Sequence, residues 1–160
     1  MPKQHGPTNL AQKALNTNSK ITIMVNFTIL SEYSLQPPTE IGRFKISNGP
    51  LYDLVRVQDL ARSVDRVKAL TKKCRNDVDK FFAGDYEEVA ELIRCVKARD
   101  FIDSEWCENG AGGIAACDAY MVRRVEEWTG SRKPLTIEYF VKFGISRAGT
   151  LVLVVSCHSS

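Results

Sequence analysis

The stretch LTIEYFVKFGIS, Leu135 to Ser146, indicates the architecture most clearly because its side chains alternate between apolar and polar with a period of two. Successive side chains of a β-strand point to opposite faces of a sheet, so this alternation predicts a strand with two different surfaces. The apolar row, which should face a core, contains Leu135, Ile137, Tyr139, Val141, Phe143 and Ile145. The other row contains Thr136, Glu138, Phe140 and Lys142. The sequence therefore predicts a sheet that is covered on one face and open on the other.

Three further strands are predicted around this one. DFIDSEW is the first, the glycine-rich turn NGAGG leads into ACDAYMVRRVEEW, and TLVLVVSCH follows the short turn RAG. Short turns between consecutive strands predict an antiparallel meander. In the last strand, the row predicted to pack inward contains Leu151, Leu153, Val155 and Cys157. His158 then lies on the open face, near Lys142.

Three helices are predicted upstream of these strands. The first follows Asp53 and repeats apolar residues at helical spacing, and the second lies within Thr71 to Phe82. The third follows Asp85, with Glu88 three residues further on as in a capping box. Helices followed by a meander predict an α+β fold, in which three N-terminal helices pack on one face of a twisted antiparallel β-sheet.

The first 49 residues are expected to lie outside this unit. Residues 1–20 are rich in Asn, Gln, Thr and Lys, which predicts disorder. Residues 21–49 are predicted to form an N-terminal extension with one or more strands, ending at Asn48-Gly49-Pro50. Residues 50–160 are then the folded domain.

The amino-acid composition is that of a globular protein rather than of a disordered or membrane-spanning one. Hydrophobic residues make up 44% of the 160 and charged residues 26%, which is typical of a globular domain. The net charge of +3 permits an anionic partner without requiring one. The longest apolar stretch, residues 21–30, is too short to cross a bilayer, so no membrane partner is expected.

The five cysteines are scattered through the chain and form no CxxC pair. Such a set predicts reduced thiols in a cytoplasmic protein, with no metal and no cofactor. Neither Cys107 nor Cys117 has a histidine or an activating cation beside it in the sequence, so we do not expect a nucleophilic thiol.

His158 is the strongest candidate for acid–base chemistry, because the unperturbed pKa of histidine, about 6.5, lies close to working pH. Cleavage of RNA without a metal requires a base for the 2′-OH, an acid for the leaving oxygen and cations for the charge on phosphorus. We expect Lys142 to supply one cation. Arg123, which shares the parity of Cys117, is expected to supply another. The alternative is that His158 is a solvated residue near the chain end and Lys142 an ordinary exposed lysine.

Residues 66–75 form a basic run. Such runs are usually solvated. The alternatives are that these residues bind an RNA backbone or form a docking surface for an acidic protein. The members assigned to RNA binding are Lys68, Lys72, Lys73 and Arg75.

Four motifs in order, DFIDS, CDAY, YFVKF and LVLVVSCH, resemble the MqsR-type toxins of bacterial type II toxin–antitoxin systems. These are mRNA interferases with a RelE-like fold. The resemblance covers residues 50–160. It implies a cytoplasmic endoribonuclease that cleaves single-stranded mRNA and is neutralised by a cognate antitoxin protein.

The resemblance also implies roles for individual positions. The family's catalytic positions fall on Asp103, Cys117, Phe140 and His158, and Lys142 keeps the family's residue type. Asp103 stands where the family has a lysine, and a carboxylate there repels phosphate unless it acts as the base or holds an arginine. Asp118 and Tyr120 also keep the family's types and are expected to brace the sheet.

Two other interpretations remain open at this stage. A relative that no longer cuts RNA would act as a protein-binding or regulatory module. An α+β domain of another kind, with a structural role, would apply if the motif match is a coincidence.

Overall fold

The computed structural model describes residues 24–130 and 132–160, which form three α-helices and a mixed seven-stranded sheet. The segment 1–20, predicted to be disordered, and the first three residues of the predicted extension lie outside the described residues. The helices are α1 (Leu54–Leu60), α2 (Lys72–Phe82) and α3 (Tyr86–Cys95). The strands are β1 (Thr28–Ile29), β2 (Phe44–Ile46), β3 (Val67–Ala69), β4 (Phe101–Glu108), β5 (Gly113–Glu126), β6 (Leu135–Ile145) and β7 (Val152–Ser159).

The four strands β4 to β7 form the predicted antiparallel meander. The strand order is β2-β4-β5-β6-β7-β3, and β1 pairs with the beginning of β5 outside this order. The four predicted strands are therefore confirmed, and three short strands extend the sheet around them.

The predicted fold class is wrong in two respects. The sheet is mixed rather than antiparallel, because β1 pairs in parallel with β5 and β3 pairs in parallel with β7. The helices are also not all N-terminal, since β1 and β2 precede α1 and β3 lies between α1 and α2. A strand of two or three residues is too short for its period to be distinguished from that of a helix.

Each helix begins at a side-chain cap. The Asp53 carboxylate accepts the backbone N–H of Val55 at 3.1 Å, and the Asp85 carboxylate accepts that of Glu87 at 2.9 Å. The Thr71 hydroxyl oxygen accepts the N–H of Cys74 at 3.0 Å before α2. These caps satisfy amides that have no partner inside a helix, and the three predicted helices are confirmed. No helix of the described ranges is long and apolar enough to cross a membrane.

The three helices pack against one face of the sheet, which we call the helical face. Its aromatic centre is Tyr120, which is stacked on Phe143 at 5.3 Å between ring centroids. The buried helical residues of this core include Val57, Leu60, Cys74, Val78, Phe82, Val89, Leu92 and Ile93. Full burial of each large apolar side chain contributes about 1.5–3 kcal/mol, so this layer fixes which face of the sheet is covered.

A β-bulge in β7 changes which residues face the helices. Phe143 is paired with Val154, whereas the preceding residue, Lys142, is paired with Ser156, so Val155 is an extra residue in β7. A bulge of this kind reverses the alternation of side chains along the strand. Ser156 therefore lies on the open face beside Lys142.

Because of the bulge, the predicted inward row of the last strand is wrong for the residues that precede it. The inward residues are Val152, Val154 and Cys157, which belong to the core under the helices. Val155 instead packs in a second apolar cluster with Cys107 and Cys117. The predicted row was wrong before the bulge because the run of five apolar residues, 151–155, contains no polar residue that would reveal the extra position.

Residues 28–32 run between the beginning of β5 and the end of β6. The N–H of Leu30 donates to the carbonyl of Ile114 at 2.8 Å, and the N–H of Glu32 donates to that of Ile145 at 2.8 Å. A Cβ on Gly113 would lie 2.5 Å from Leu30 Cδ1, so glycine permits this close approach. The N-terminal segment thus contributes to the same sheet as the four-stranded meander.

Candidate functional site

The candidate site is the face of the sheet opposite the helices, which we call the open face. The register of the strands places on it Lys45, Asp103, Glu105, Cys107, Cys117, Met121, Arg123, Phe140, Lys142, Ser156 and His158. It therefore collects every residue predicted to be catalytic, together with Glu105, which the sequence reasoning did not select.

His158 lies at one end of the open face, between two aromatic rings. Its imidazole is stacked on Phe140 at 5.3 Å between centroids and 23° between planes. Phe81 of α2 lies at 6.4 Å on a tilted plane, and the Lys142 ammonium lies 5.5 Å from the Phe140 centroid. The predicted neighbours His158, Phe140 and Lys142 are thus brought together.

The end of β7 holds the His158 backbone in place. Ser159 pairs with Tyr139 of β6, and the N–H of Ser160 donates to the carbonyl of Glu138 at 3.0 Å. His158 Nδ1 lies 3.3 Å from the Ser159 carbonyl, so a proton on Nδ1 leaves Nε2 as the basic nitrogen. The partly exposed imidazole is therefore part of the sheet and not a loose tail residue.

Lys142 reaches across β5 to Glu105. Its ammonium donates a hydrogen bond to Glu105 Oε1, and the two side chains are only 9% and 5% exposed. Lys142 and Glu105 are two strands apart, and the small Ala119 opposite Lys142 leaves room for them to meet. Glu105 was missed because an acidic residue in a strand carries no motif, although the small residues of β5 predict space above them.

The ion pair extends to the edge of the sheet. Lys45 Nζ lies 2.9 Å from Glu105 Oε2 and 2.6 Å from Asp103 Oδ2. Two lysines and two carboxylates therefore form one network, with their formal charges balanced. We call these four residues the ion-pair network.

The lysines keep Glu105 ionised. Burial alone would raise the pKa of this carboxyl group, but the hydrogen bond from Lys142 and the nearby charges of Lys142 and Lys45 outweigh burial and hold the pKa below its ordinary value. The charge of Lys142 is correspondingly offset inside the protein, which weakens its attraction for a phosphate.

Asp103 is far from His158. The two residues lie on β4 and β7, three strand spacings apart, which corresponds to about 14 Å at ~4.8 Å for each spacing. The Asp103 carboxylate binds a lysine, Lys45, rather than an arginine. Asp103 and His158 therefore cannot act as the base and acid on the same phosphodiester.

Cys117 lies under the ion-pair network and is fully buried. A hydrogen bond between the Cys117 and Cys107 thiols raises the pKa of Cys117, and burial raises it further. The same hydrogen bond lowers the pKa of Cys107. Both thiols are buried and pack in one apolar cluster with Val155.

The predicted cations lie at several places. Arg123 is 75% exposed, and its Nε lies 2.8 Å from Glu138 Oε1 on the neighbouring strand. Lys73 Nζ lies 2.8 Å from Asp77 Oδ2 within α2. Lys68 is on β3, and Lys72 and Arg75 are exposed on α2, so the basic run is divided between two elements.

A pocket of about 590 Å³ opens between the ion-pair network and the beginning of α2. Lys142, Glu105 and Ser156 line it from the sheet. Arg43 and Lys72 line it from opposite sides, since one precedes β2 and the other begins α2. His158 is not in its lining, so the open face has an aromatic part and a pocket part.

Asp118 and Tyr120 lie on the helical face. The Asp118 carboxylate accepts the N–H of Leu51 at 2.9 Å, the N–H of Tyr52 at 3.1 Å and the hydroxyl of Ser104 at 2.6 Å. Burial raises the pKa of Asp118 although these three donors oppose it. This carboxylate connects β5 to the segment that leads into α1.

Comparisons with known proteins do not assign a family: no protein-family model, curated protein or solved structure matches this chain. Within residues 24–130 and 132–160, no three His, Cys, Asp or Glu side chains converge in an arrangement that could hold a metal ion.

Proposed function

We propose that this protein is a cytoplasmic endoribonuclease that cleaves single-stranded RNA at the open face, with His158 as the acid–base group. The observation that carries the proposal is the partly exposed imidazole stacked on Phe140, in the row of side chains that points away from the helical core. Aromatic rings on a sheet are a common platform for unpaired bases.

The proposed reaction uses the 2′-OH of the RNA as the nucleophile. His158 Nε2 accepts the 2′-OH proton, and the 2′-oxygen forms a bond to phosphorus while the bond to the 5′-oxygen breaks. Water protonates the leaving oxygen, and the imidazolium later returns its proton to solvent. The products are a 2′,3′-cyclic phosphate and a 5′-hydroxyl.

Lys142 has a supporting role in this proposal. Its ammonium lies beside the same Phe140 ring as His158, where it can stabilise the negative charge that develops on phosphorus. Glu105 takes one of its three N–H groups and offsets its charge. We therefore expect a larger loss of rate from removing His158 than from removing the Lys142 charge.

We also propose that an acidic antitoxin protein docks over the basic residues Lys68, Lys72 and Arg75, which have no acidic partner within 4 Å in the described part of the chain. Charge reversal at these three positions should abolish co-purification with a co-expressed antitoxin. Retained co-purification would place the docking surface elsewhere.

A second function, protein binding without RNA cleavage, is favoured by one observation. The open face carries three ion pairs, in each of which a carboxylate offsets the charge of a cation. They are Lys142 with Glu105, Lys45 with Asp103, and Arg123 with Glu138. A balanced face attracts a polyanion weakly. This function requires that His158 be dispensable for any effect of the protein in cells.

Induction in bacteria separates the two functions. The endoribonuclease proposal predicts growth arrest with loss of intact mRNA, abolished by His158→Ala. His5→Ala is the matched control because His5 is the only other histidine of the sequence. Arrest that persists in His158→Ala, or its absence in the unchanged protein at full expression, contradicts the endoribonuclease proposal.

A further inference from the structure

We infer that the pocket beside the ion-pair network binds one nucleotide of the RNA, adjacent to the phosphodiester that His158 cleaves. The inference deepens the proposed function and rests on it for the identity of the ligand. It concerns a part of the open face that contains neither His158 nor Phe140.

The rim of the pocket carries two available cations. Arg43 and Lys72 line it, and neither has an acidic partner within 4 Å among the described residues. Lys73, at the same rim, is occupied by Asp77. Arg43 and Lys72 therefore differ from Lys142 and Lys45, whose charges are offset, and either one can pair with a phosphate.

The interior of the pocket is suited to a base rather than to a phosphate alone. Val155 and Cys107 supply apolar surface. Lys142 and Glu105 supply a hydrogen-bond donor and an acceptor side by side at the floor. Glu105 Oε2 is buried and has no hydrogen bond of good geometry, although Lys45 Nζ lies 2.9 Å away.

The size of the pocket agrees with a ligand of this kind. Its volume of about 590 Å³ falls within the range of pockets that enclose small molecules, roughly 300–1,000 Å³. A nucleotide places one anionic group at the rim and one planar, polar-edged group inside. Inorganic phosphate would use only the rim.

The position of the pocket relates it to His158. Ser156 lines the pocket, and His158 follows two residues later on the same face of β7, a separation of about 6.6 Å. A nucleotide bound in the pocket therefore has its neighbouring phosphodiester within reach of the imidazole. This arrangement would let the pocket set which phosphodiester is cleaved.

The test measures binding without catalysis. The four nucleoside 3′-monophosphates are titrated into the full-length protein by calorimetry, with inorganic phosphate and the unphosphorylated nucleosides as comparison probes. At least one nucleotide should bind, at least about tenfold more tightly than phosphate or its own nucleoside, because it engages both the rim and the interior.

Two variants locate the binding. Arg43→Ala with Lys72→Ala should weaken nucleotide binding at least about tenfold, since charge-assisted contacts are lost, while Arg62→Ala, an exposed arginine on the helical side, should not. Ser156→Phe fills the pocket without changing its charge and should also abolish binding. Thermal unfolding of each variant establishes that it is folded.

The outcomes distinguish this inference from the proposed function. Absence of nucleotide binding, or equal weakening by Arg62→Ala, overturns the pocket even if His158-dependent cleavage is observed. Nucleotide binding that survives in His158→Ala supports the pocket, and it does so even if no cleavage of RNA is found. Unchanged KM for RNA in the Arg43→Ala, Lys72→Ala protein would likewise overturn it.

Discussion

Two buried carboxylates lie close together on adjacent strands but on opposite faces of the sheet. Asp118 on β5 faces the helices and is held by two backbone amides and a hydroxyl. Glu105 on β4 faces the open side and is held by two lysines. Burial opposes the ionisation of both, yet the pKa of Asp118 is raised while that of Glu105 is lowered.

The two pKa values shift in opposite directions because the two carboxylates have different partners. Neutral donors around Asp118 fix the segment leading into α1 but do not offset the cost of burying a charge. Cations around Glu105 offset that cost and leave a charged, balanced network at the floor of the pocket. One carboxylate therefore maintains the fold, and the other shapes the electrostatics of the candidate site.

Removal of the carboxylate on the helical face should destabilise the protein most. Asp118→Ala should lower the free energy of unfolding by about 3–4 kcal/mol, because it leaves two backbone amides and the Ser104 hydroxyl without an acceptor. Urea unfolding measures the change. Asp65→Ala is an exposed control and should change the free energy by less than about 0.5 kcal/mol. Similar losses in both variants would refute the structural role of Asp118.

On the open side, Lys142→Met should destabilise the protein by about 2–3 kcal/mol. It leaves the buried Glu105 carboxylate with Lys45 as its only cation, and removal of one partner of a buried pair is costly. Adding Glu105→Gln should restore part of the loss, because the uncompensated charge is then absent. A double-mutant cycle by urea unfolding measures this coupling, and additive losses would contradict a direct pair.

The two carboxylates should give stability opposite dependences on pH. The lowered pKa of Glu105 contributes stability that is present above the ordinary pKa of a glutamate, 4.5, and is lost as the pH falls through the folded-state value. The raised pKa of Asp118 does the reverse: its contribution falls as the pH rises from the ordinary aspartate pKa of 3.8 through the folded-state value.

Unfolding measured from pH 3 to pH 7 separates these contributions. Glu105→Gln should flatten the loss of stability on acidification relative to the unchanged protein. Asp118→Asn should make that loss steeper, because its opposing contribution is gone. The same slope in all three proteins would show that neither carboxylate changes its pKa on folding.

The smallest effect is expected at the exposed end of the ion-pair network. Lys45 is 60% exposed, so solvent screens its pairs with Asp103 and Glu105. Lys45→Ala should cost only about 0.5 kcal/mol, measured by the same unfolding assay. A loss as large as that of Lys142→Met would mean that Lys45 contributes as much as Lys142 to the stabilisation of Glu105, against this expectation.

The regular elements of the fold could be predicted from local patterns. Asp53 and Asp85 indicate two helices by their capping chemistry, and the alternation of residues 135–146 predicts β6 and its faces. β3 was not predicted, because its three residues carry no readable period, and the strands predicted within residues 21–49 gave no indication that β1 pairs in parallel with β5. The parallel pairings of β1 and of β3 depend on contacts with residues distant in sequence.

The candidate site was predictable only in part. The position of His158 beside Phe140 and Lys142 follows from strand parity at the end of β7, after the bulge. The bulge at Val155 was hidden by a wholly apolar run. The pairing of Lys142 with Glu105 is invisible to sequence because it joins residues 37 positions apart, on strands separated by a third.

The proposed function assigns cleavage of RNA on the open face to the imidazole of His158. The most direct measurement is the rate at which the purified protein cleaves single-stranded RNA, with the ends of the products identified. We predict 2′,3′-cyclic phosphate ends and a loss of about 10²–10⁴-fold in rate for His158→Ala, with no loss for His5→Ala. Equal rates for His158→Ala and the unchanged protein, or no cleavage by the folded protein, would contradict the claim.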